Sequence, residues 1–581
     1  MFDLAANPSA PGSAEPLGHP AGEAVGTARF YKRLDALLLG LLLIARARID
    51  SLADAAVLPL LQQDVARQPW LGHLLSPTAM KLLAQQGFLD PIALLLLAGA
   101  VGCWLIYLLV NEWAPAGRVT YRVKLGLIWA IVLLTVFAPS LELTLLRRGS
   151  GPASYSHDGG VIQTEATIDF LLQGRNPYAE DYTKTALAAW GNSEFRSALY
   201  HYPYLPWTFL FSAPFRLAAD RLWGWYDQRF VYLLLFALTL ALLPGLARPL
   251  SRGAPGPPDH AAGRGAAVAG GAPRAQAEWL GSLLLLMLIG LNPMMGSDLI
   301  FGQNDSFVLA WVVLSLWLWR RAREAEVEGA CRRSSPPHPM GWYAASAVVF
   351  GLACASKPTA WFLAPFYVLL LARPATTCLG RFQAEHGPGS AGATRPCGPS
   401  LAAAEPGSQP GVPIALPPAA HPKTEAPLAG PGGQGGSLAG AYLGRAVSRG
   451  WPALAAALLV IGPYFVWNPA RMIDDVWSWS AGTSPTSYQI WGWGASNFVI
   501  ALGWVGSRLA YWPFWIPEAL LSVPLLCLLC YRQWRSNTAA RACWSYALLL
   551  LAYLFVSRFL NENYFGYVLA FLCLGLLIDC E

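Results

Sequence analysis

Long apolar segments alternate with short polar loops along most of this chain. Segments 91–110 and 125–146 match the roughly 20 residues that a helix needs to cross the hydrocarbon core of a bilayer. Several others are shorter, which is typical of tilted or broken helices around a cavity. Segment 36–45 fits either a tilted crossing or an interfacial helix. The further predicted crossings are 204–217, 230–247, 279–291, 307–319, 342–354, 361–371, 451–467, 498–509, 514–530, 544–556 and 564–578.

This pattern predicts an all-α fold, a polytopic transmembrane helix bundle with about 11 to 13 crossings. Short interfacial helices are expected in its first large loop, because 161–172 has the apolar and polar faces of a helix lying on a membrane surface. The predicted organisation is a disordered N-terminus (1–30), an N-terminal transmembrane module (31–372) with a first outer loop (147–203) and a flexible linker (248–277), a low-complexity linker (373–440), and C-terminal transmembrane helices (441–581).

Composition agrees with a membrane protein. Of the 581 residues, 55% are hydrophobic and only 13% are charged, whereas soluble domains carry about 25% charged residues. The net charge of +6 comes mainly from loops and linkers, and no basic stripe with interleaved aromatic residues is present. Nucleic acid is therefore not expected as a partner.

The charge of the loops predicts their side of the membrane. Lys and Arg concentrate in 111–124, 248–277, 320–340, 373–450 and 531–541, and the positive-inside rule places such loops in the cytoplasm. The polar segments of opposite parity are then on the outer side, provided that 204–247 contributes an odd number of crossings. These segments are 147–203, 294–305, 355–359, 467–496 and 557–563.

The first loop contains the densest group of candidate catalytic residues. His157 and Asp158 precede two glycines, Gly159 and Gly160, which leave the backbone free to approach a substrate closely. A turn follows at 176–178, where Asn176 and Tyr178 flank a proline. Long loops of this composition are often functional, although an ordinary solvated loop is the alternative.

Charged residues between apolar segments form a second group of candidates. Lys357 and Arg558 are expensive to place at membrane depth, which favours a functional role such as holding a phosphate. The alternatives are snorkelling to lipid headgroups or a structural ion pair. Gln303, Asn304 and Asp305 directly precede a helix, so a helix cap and a ligand contact are equally good interpretations. Other candidates for binding are Tyr202, Tyr204, Asn561 and Asn563.

The order of several short motifs resembles a known family. Asp158 in the first loop is followed by LLQGRNPY, by YPYLP opening the next helix, by GQND, and by the Lys-Pro of SKPT. This series resembles the integral-membrane glycosyltransferases of the C-type fold. The branch it resembles most contains polyprenyl-phosphomannose-dependent α-mannosyltransferases and arabinofuranosyltransferases of bacterial envelopes. The similarity extends over 120–370, and more loosely over 450–580.

The resemblance implies a catalytic role for module 31–372 in a bacterial plasma membrane, with the active site on the outer face. A sugar (mannose, another hexose or a pentose) would move from a polyprenyl-phosphate donor to a lipid- or glycan-linked acceptor. Asp158 would be the general base beside His157, and Lys357 and Arg558 would hold the donor phosphate. No cofactor is implied. A divalent metal stays open, because the first loop has one acid after His157 where some relatives have two.

Two other functions fit parts of the pattern. A transporter or flippase of lipid-linked sugars also places polar residues near broken helices, but at the membrane midplane and in two matched halves. A non-catalytic membrane scaffold has no need for an acid, a lysine and an arginine near one face. The clustering of the polar residues favours the enzyme. Membrane lipids, the sugar donor and the acceptor are then its expected partners.

Overall fold

The computed structural model describes ten parts of the chain, and these contain nearly all the predicted apolar segments. The predicted disordered N-terminus (1–30) and the greater part of both predicted linkers lie outside the described residues. The parts described are residues 34–49, 64–65, 67–68, 73–85, 90–115, 117–190, 196–247, 271–331, 339–374 and 435–578.

The described residues form a polytopic bundle of α-helices, which confirms the predicted fold class. Helices Trp279–Gly290 and Pro293–Phe301 meet at a bend of 48° and can count together as one further span. Shorter apolar helices cover Pro339–Cys354, Pro358–Ala372 and Glu562–Leu577. Six described helices are long and apolar enough to cross a membrane: Pro91–Trp113, Arg118–Ser150, Arg229–Leu246, Gly440–Trp467, Trp515–Arg535 and Ala539–Val556.

Several predicted boundaries differ from the structure. By length and composition, six or seven of the described helices can cross a membrane, which is fewer than the predicted number of about 11 to 13 crossings. Segment 498–509 is not a crossing, because helix Ser496–Ala501 ends in turns that include Gly503 at φ +69°. The ends of the two predicted linkers are helical, since helices begin at Gly271 and Gly435.

Two segments that the sequence left open are helical. Residues 34–49 form a helix that includes 36–45. Segment 204–217 corresponds to helix Trp207–Trp223, which begins after Pro206 and contains Pro214. This helix does not meet the length and apolarity of a full span among the described helices.

The N-terminal and C-terminal helices pack into one hydrophobic core. Asn292 Nδ2 donates to the Gly566 carbonyl at 2.8 Å, and the Tyr546 hydroxyl donates to the Thr359 carbonyl at 3.0 Å. Residues 441–578 therefore complete the bundle begun by 34–372 and do not form a separate body.

Two long connections between apolar helices contain many of the shorter elements. The first is loop 147–203, and the second, residues 468–514, is called here the Trp-rich segment. A two-residue parallel strand pair, Trp491–Gly492 with Phe559–Leu560, joins the Trp-rich segment to the chain after Val556. The remaining elements are helices Pro77–Ala84, Ala138–Ser150, Thr164–Leu172, Asp305–Cys331, Pro469–Ile473 and Trp479–Ala481, 3-10 turns Pro177–Ala179, Ala186–Ala189, Ser197–Leu199 and Pro358–Leu363, and π-helical turns Leu133–Phe137, Asp158–Gln163 and Asp474–Ser478.

The helix of the first loop buries a polar residue as well as apolar ones. A helix does cover Thr164–Leu172, and the chain leaves it at Gly174 with φ +74° as predicted. However, Glu165 and Ile168 are buried. The polar position on this helix is therefore satisfied by other charges inside the protein.

Those charges form an ion cluster of Arg147, Glu165, Asp227 and Arg229. Arg147 contacts Glu165 (Nη2–Oε2 2.7 Å) and Asp227 (Nη1–Oδ2 2.8 Å). Arg229 contacts Asp227 (Nη2–Oδ2 2.8 Å). Arg229 Nη1 also donates to the carbonyls of Tyr155 at 2.8 Å and Ile300 at 3.0 Å. Two cations and two anions thus fix the start of the first loop against the bent helix pair.

Gly160 has a packing role rather than the substrate-approach role predicted for it. A β-carbon at Gly160 would lie 1.9 Å from the Gly302 carbonyl oxygen, and Gly302 itself has φ +89°. The Tyr232 hydroxyl donates to the Gly160 carbonyl at 2.5 Å. The two glycines let the first loop and the end of helix Pro293–Phe301 touch through their backbones.

Candidate functional site

A cavity of about 1450 Å³ lies between the first loop, the bent helix pair, the Trp-rich segment and the helices that follow it. Most residues that the sequence singled out meet here. The predicted site residues that line the cavity are His157, Tyr204, Gln303, Lys357, Arg558, Asn561 and Asn563.

Backbone hydrogen bonds bring the separate motifs together around this cavity. The Leu205 N–H donates to the Ser356 carbonyl and the Trp207 N–H to the Ala355 carbonyl, both at 3.0 Å, so YPYLP lies directly on SKPT. The His157 N–H donates to the Phe301 carbonyl at 2.6 Å, which joins the first loop to GQND. Motifs that are far apart in the sequence thus form one wall.

Asp158 begins the π-helical turn Asp158–Gln163 at this wall. Its neighbours His157 and Gly159 both line the cavity, and the His157 ring packs against Trp190 with ring centroids 5.8 Å apart. The side chain of Asp158 lies outside the part of the chain that the structure describes. Its catalytic role therefore stays a prediction, supported by the position of its backbone.

Lys357 is held in a buried ion pair at the cavity wall. Its Nζ donates to Asp305 Oδ1 at 2.6 Å and to Asn304 Oδ1 at 3.3 Å. The ammonium also lies over the ring of Tyr564, 5.0 Å from the centroid. Asn563 Nδ2 donates to the other carboxylate oxygen of Asp305. The structural ion pair, one of the two alternatives to phosphate binding, is therefore present at a residue that still lines the cavity.

Five of the predicted binding residues do not line the cavity. Asn304 and Asp305 are buried and hold Lys357. Asn176 caps its turn by accepting from the Tyr178 N–H at 3.2 Å. The Tyr178 hydroxyl donates to the Tyr204 carbonyl at 2.7 Å, and the Tyr202 ring packs edge-on against Tyr204. These side chains position the wall and make no direct surface for a ligand.

Arg558 lines the cavity, but backbone carbonyls take up its donors. Its guanidinium donates to the carbonyls of Tyr488 at 2.6 Å, Ala510 at 3.0 Å and Leu509 at 3.1 Å, with a longer contact to Arg508 at 3.4 Å. A guanidinium has five N–H donors, so little remains for a phosphate. The geometry assigns Arg558 to holding the Trp-rich segment in place.

The structure adds two groups that sequence reasoning missed. Asp298 lines the cavity, and its Oδ2 is buried without a hydrogen-bond partner among the described residues. Arg508 lines the cavity and stacks on Trp491, with its guanidinium carbon 4.2 Å from the ring centroid. Asp298 lies in the polar segment 294–305, whereas Arg508 lies in 498–509, which was predicted as a crossing. Only the three-dimensional contacts distinguish the two residues from their neighbours.

His201 and Asp475 were missed as a pair. His201 lines the cavity, and its Nδ1 lies 3.0 Å from Asp475 Oδ1. Burial raises the pKa of Asp475 to about 6, although the hydrogen-bonded His201 acts in the opposite direction. The sequence signal for this pair is only a histidine next to the Tyr-Pro-Tyr turn and two adjacent acids far downstream.

Part of the cavity lining is apolar. Helix Trp515–Arg535 contributes Ala519, Val523 and Leu526, and the neighbouring helix contributes Leu550 and Leu554. Helix Trp515–Arg535 is also one of the candidate membrane spans and is largely exposed. The cavity lining therefore combines polar groups with a hydrocarbon-like surface.

Comparisons with family models, with curated proteins and with solved structures find no match to this chain. The case for its function therefore depends on the site itself.

The contribution of the Lys357–Asp305 ion pair to stability can be tested directly. Lys357→Met leaves the Asp305 carboxylate buried and unpaired, so we expect the free energy of unfolding to fall by about 3 to 5 kcal/mol. The double variant Lys357→Met/Asp305→Asn should recover most of that loss, since it removes both charges. Denaturation in mixed micelles measures both. Strictly additive effects of the two single changes would contradict a coupled pair.

Proposed function

We propose that this chain is a membrane glycosyltransferase that moves a sugar from a polyprenyl-phosphate donor to a lipid- or glycan-linked acceptor. The observation that carries the proposal is the cavity lining, which combines polar and charged groups with an apolar surface. A polyprenyl-phosphate sugar has a polar, anionic head and a long hydrocarbon tail. The wall with His157, Gln303 and Lys357 suits the head, and the apolar surface on helix Trp515–Arg535 suits the tail.

The reaction needs a base for the acceptor. The acceptor hydroxyl oxygen forms a bond to the anomeric carbon while the bond from that carbon to the phosphate oxygen breaks. Asp158 accepts the hydroxyl proton, and polyprenyl phosphate leaves with the bonding electron pair. In support, the backbone of Asp158 lies between two cavity-lining residues, His157 and Gly159.

The leaving phosphate needs positive charge close to it. Lys357 supplies an ammonium at the cavity wall, but Asp305 neutralises part of its charge. Arg508 is a cavity-lining guanidinium without a carboxylate in ion-pair distance among the described residues, and its described hydrogen bond goes to Gln489 Oε1 at 2.8 Å. We therefore assign the phosphate to Lys357 and Arg508 rather than to Arg558. Arg side chains match phosphate geometry well.

Groups suited to sugar hydroxyls surround these charges. Gln303, Asn561 and Asn563 line the cavity, together with aromatic rings such as Trp477 and Trp493. Amide side chains both donate and accept hydrogen bonds. We place the transfer on the outer face. The Lys- and Arg-rich loops are expected in the cytoplasm, and one predicted crossing separates the nearest of them from the first loop and from the Trp-rich segment.

Transfer by the purified full chain tests this function. The chain in nanodiscs is incubated with radiolabelled polyprenyl-phosphate mannose, or with the corresponding hexose and pentose donors, and with a lipid-linked glycan extract. We expect label to move from the donor to a larger glycolipid, with release of polyprenyl phosphate. Movement of the labelled donor between leaflets of proteoliposomes, without transfer of its sugar, would contradict the proposal and favour a flippase.

A further inference from the structure

Three side chains from two distant parts of the chain meet beside the cavity. His201 precedes the Tyr202–Tyr204 turn, and Asp474 and Asp475 begin the π-helical turn Asp474–Ser478. His201 Nδ1 lies 3.0 Å from Asp475 Oδ1 and 3.8 Å from Asp474 Oδ2. One ligand atom from each lies within 4.8 Å of the other two. We propose that this cluster binds a divalent transition-metal ion, Mn²⁺ or Zn²⁺.

The separations between the donor atoms fit a single ion. Imidazole nitrogens and carboxylate oxygens bind such ions at about 2.0 to 2.2 Å. Two ligands of one ion are then about 3 to 4 Å apart at the angles of common coordination geometries. The two separations from His201 Nδ1, 3.0 Å and 3.8 Å, both fall in this range. The cluster can therefore close on an ion without a large movement of either segment.

The other ring nitrogen of His201, Nε2, has the kind of partner that metal-binding histidines commonly have. Nε2 lies 2.6 Å from Thr486 Oγ1, so a proton on Nε2 can be donated to that hydroxyl. In that tautomer the Nδ1 lone pair faces the carboxylates and is free to bind an ion together with them, whereas without an ion the other tautomer lets Nδ1–H donate to Asp475 Oδ1 at 3.0 Å. Metal-binding histidines commonly donate their second ring N–H to such a partner, which fixes the tautomer.

Asp475 provides an independent observation. Its side chain is 4% exposed, and its Oδ2 is buried with no hydrogen-bond partner in the described parts of the chain. A buried carboxylate oxygen without a partner is costly, and a metal ion would compensate its charge. Asp474, at 31% exposure, keeps one side of the site open to water or another ligand.

The donor set decides which class of ion binds. One imidazole and two carboxylates suit Mn²⁺ and Zn²⁺, whereas Mg²⁺ and Ca²⁺ prefer oxygen ligands alone. The cluster does not include Asp158, the acid after His157, for which the resemblance left a divalent metal open. A bound ion would fasten the first loop to the Trp-rich segment. The inference does not depend on the proposed transferase activity.

Metal binding by the full chain tests this inference without an activity assay. The chain in nanodiscs is stripped with EDTA and titrated with Mn²⁺, followed by the EPR signal of the free ion, and separately with Zn²⁺ by calorimetry. We expect one saturable site per chain. Asp475→Asn and His201→Gln should each weaken binding at least about tenfold, and Thr486→Val should weaken it by about tenfold, because Thr486 orients the ligand.

Asp181→Asn is the matched control, since Asp181 is an exposed acid of the first loop that bonds Thr183 and lies outside the cluster. It should bind the ions like the wild type. The absence of saturable binding of either ion by the wild-type chain would overturn the inference, whether or not the variants fold. So would unchanged affinity in folded Asp475→Asn, which would leave the cluster as a hydrogen-bonded His–Asp pair.

Discussion

Asp158→Asn is expected to transfer sugar at least about a hundredfold more slowly than the wild type, which is the usual cost of losing a general base. The amide keeps the size and much of the hydrogen bonding of the carboxylate but cannot accept the acceptor's proton. Binding of the donor should change little, so the loss should appear in kcat rather than in donor affinity. Single-turnover transfer from a radiolabelled donor measures the chemical step directly.

Two further variants make this result specific. Asp181→Asn removes an exposed carboxylate from the same loop and should retain wild-type turnover. Asp298→Asn tests another acid, which lines the cavity and whose Oδ2 is buried. Turnover of Asp158→Asn within a few-fold of the wild type, with a large loss in Asp298→Asn, would move the role of general base to Asp298.

Asp227→Asn is expected to lower the free energy of unfolding by about 3 to 5 kcal/mol, because it leaves Arg147 and Arg229 without one of their anions in the buried ion cluster. Asp227 is fully buried and contacts both guanidinium groups. Denaturation of the purified protein in mixed micelles, followed by tryptophan fluorescence, measures the loss. Transfer activity should fall with the folded fraction.

The matched control is an exposed pair of the same chemistry. Asp220 lies 2.8 Å from Arg216 one helical turn away, and both side chains are partly exposed. Surface pairs of this kind contribute about 0 to 1 kcal/mol, so Asp220→Asn should be close to the wild type. Equal effects of the two substitutions would show that burial of the ion cluster has no special importance.

The apolar segments predicted most of the helices, because hydrophobic length is a local property of the sequence. Helices Arg229–Leu246 and Ala539–Val556 begin and end within a few residues of their predicted limits. Segment 498–509 failed for a local reason as well. Its glycines, of which Gly503 has positive φ, end the helix early.

The site was predictable where charge at membrane depth was the signal, and unpredictable where the partner was distant. Lys357 and Arg558 were found and line the cavity. The acids that accompany His201 are 274 residues away in the case of Asp475, and no local pattern connects them. The partner of Glu165 in helix Thr164–Leu172 was unpredictable for the same reason. The local sequence is the same whether this carboxylate faces water at a membrane surface or pairs with a buried arginine.

The ion cluster also has a consequence for how this chain is made. Arg147 and Glu165 are 18 residues apart and pair through two contacts of 2.8 and 2.7 Å. Asp227 and Arg229 are two residues apart and pair with each other. As the ribosome delivers the chain to the insertion machinery, each pair can neutralise itself before the other emerges. The later step joins two neutral units, so assembly of this cluster does not have to leave any of its four charges uncompensated in lipid.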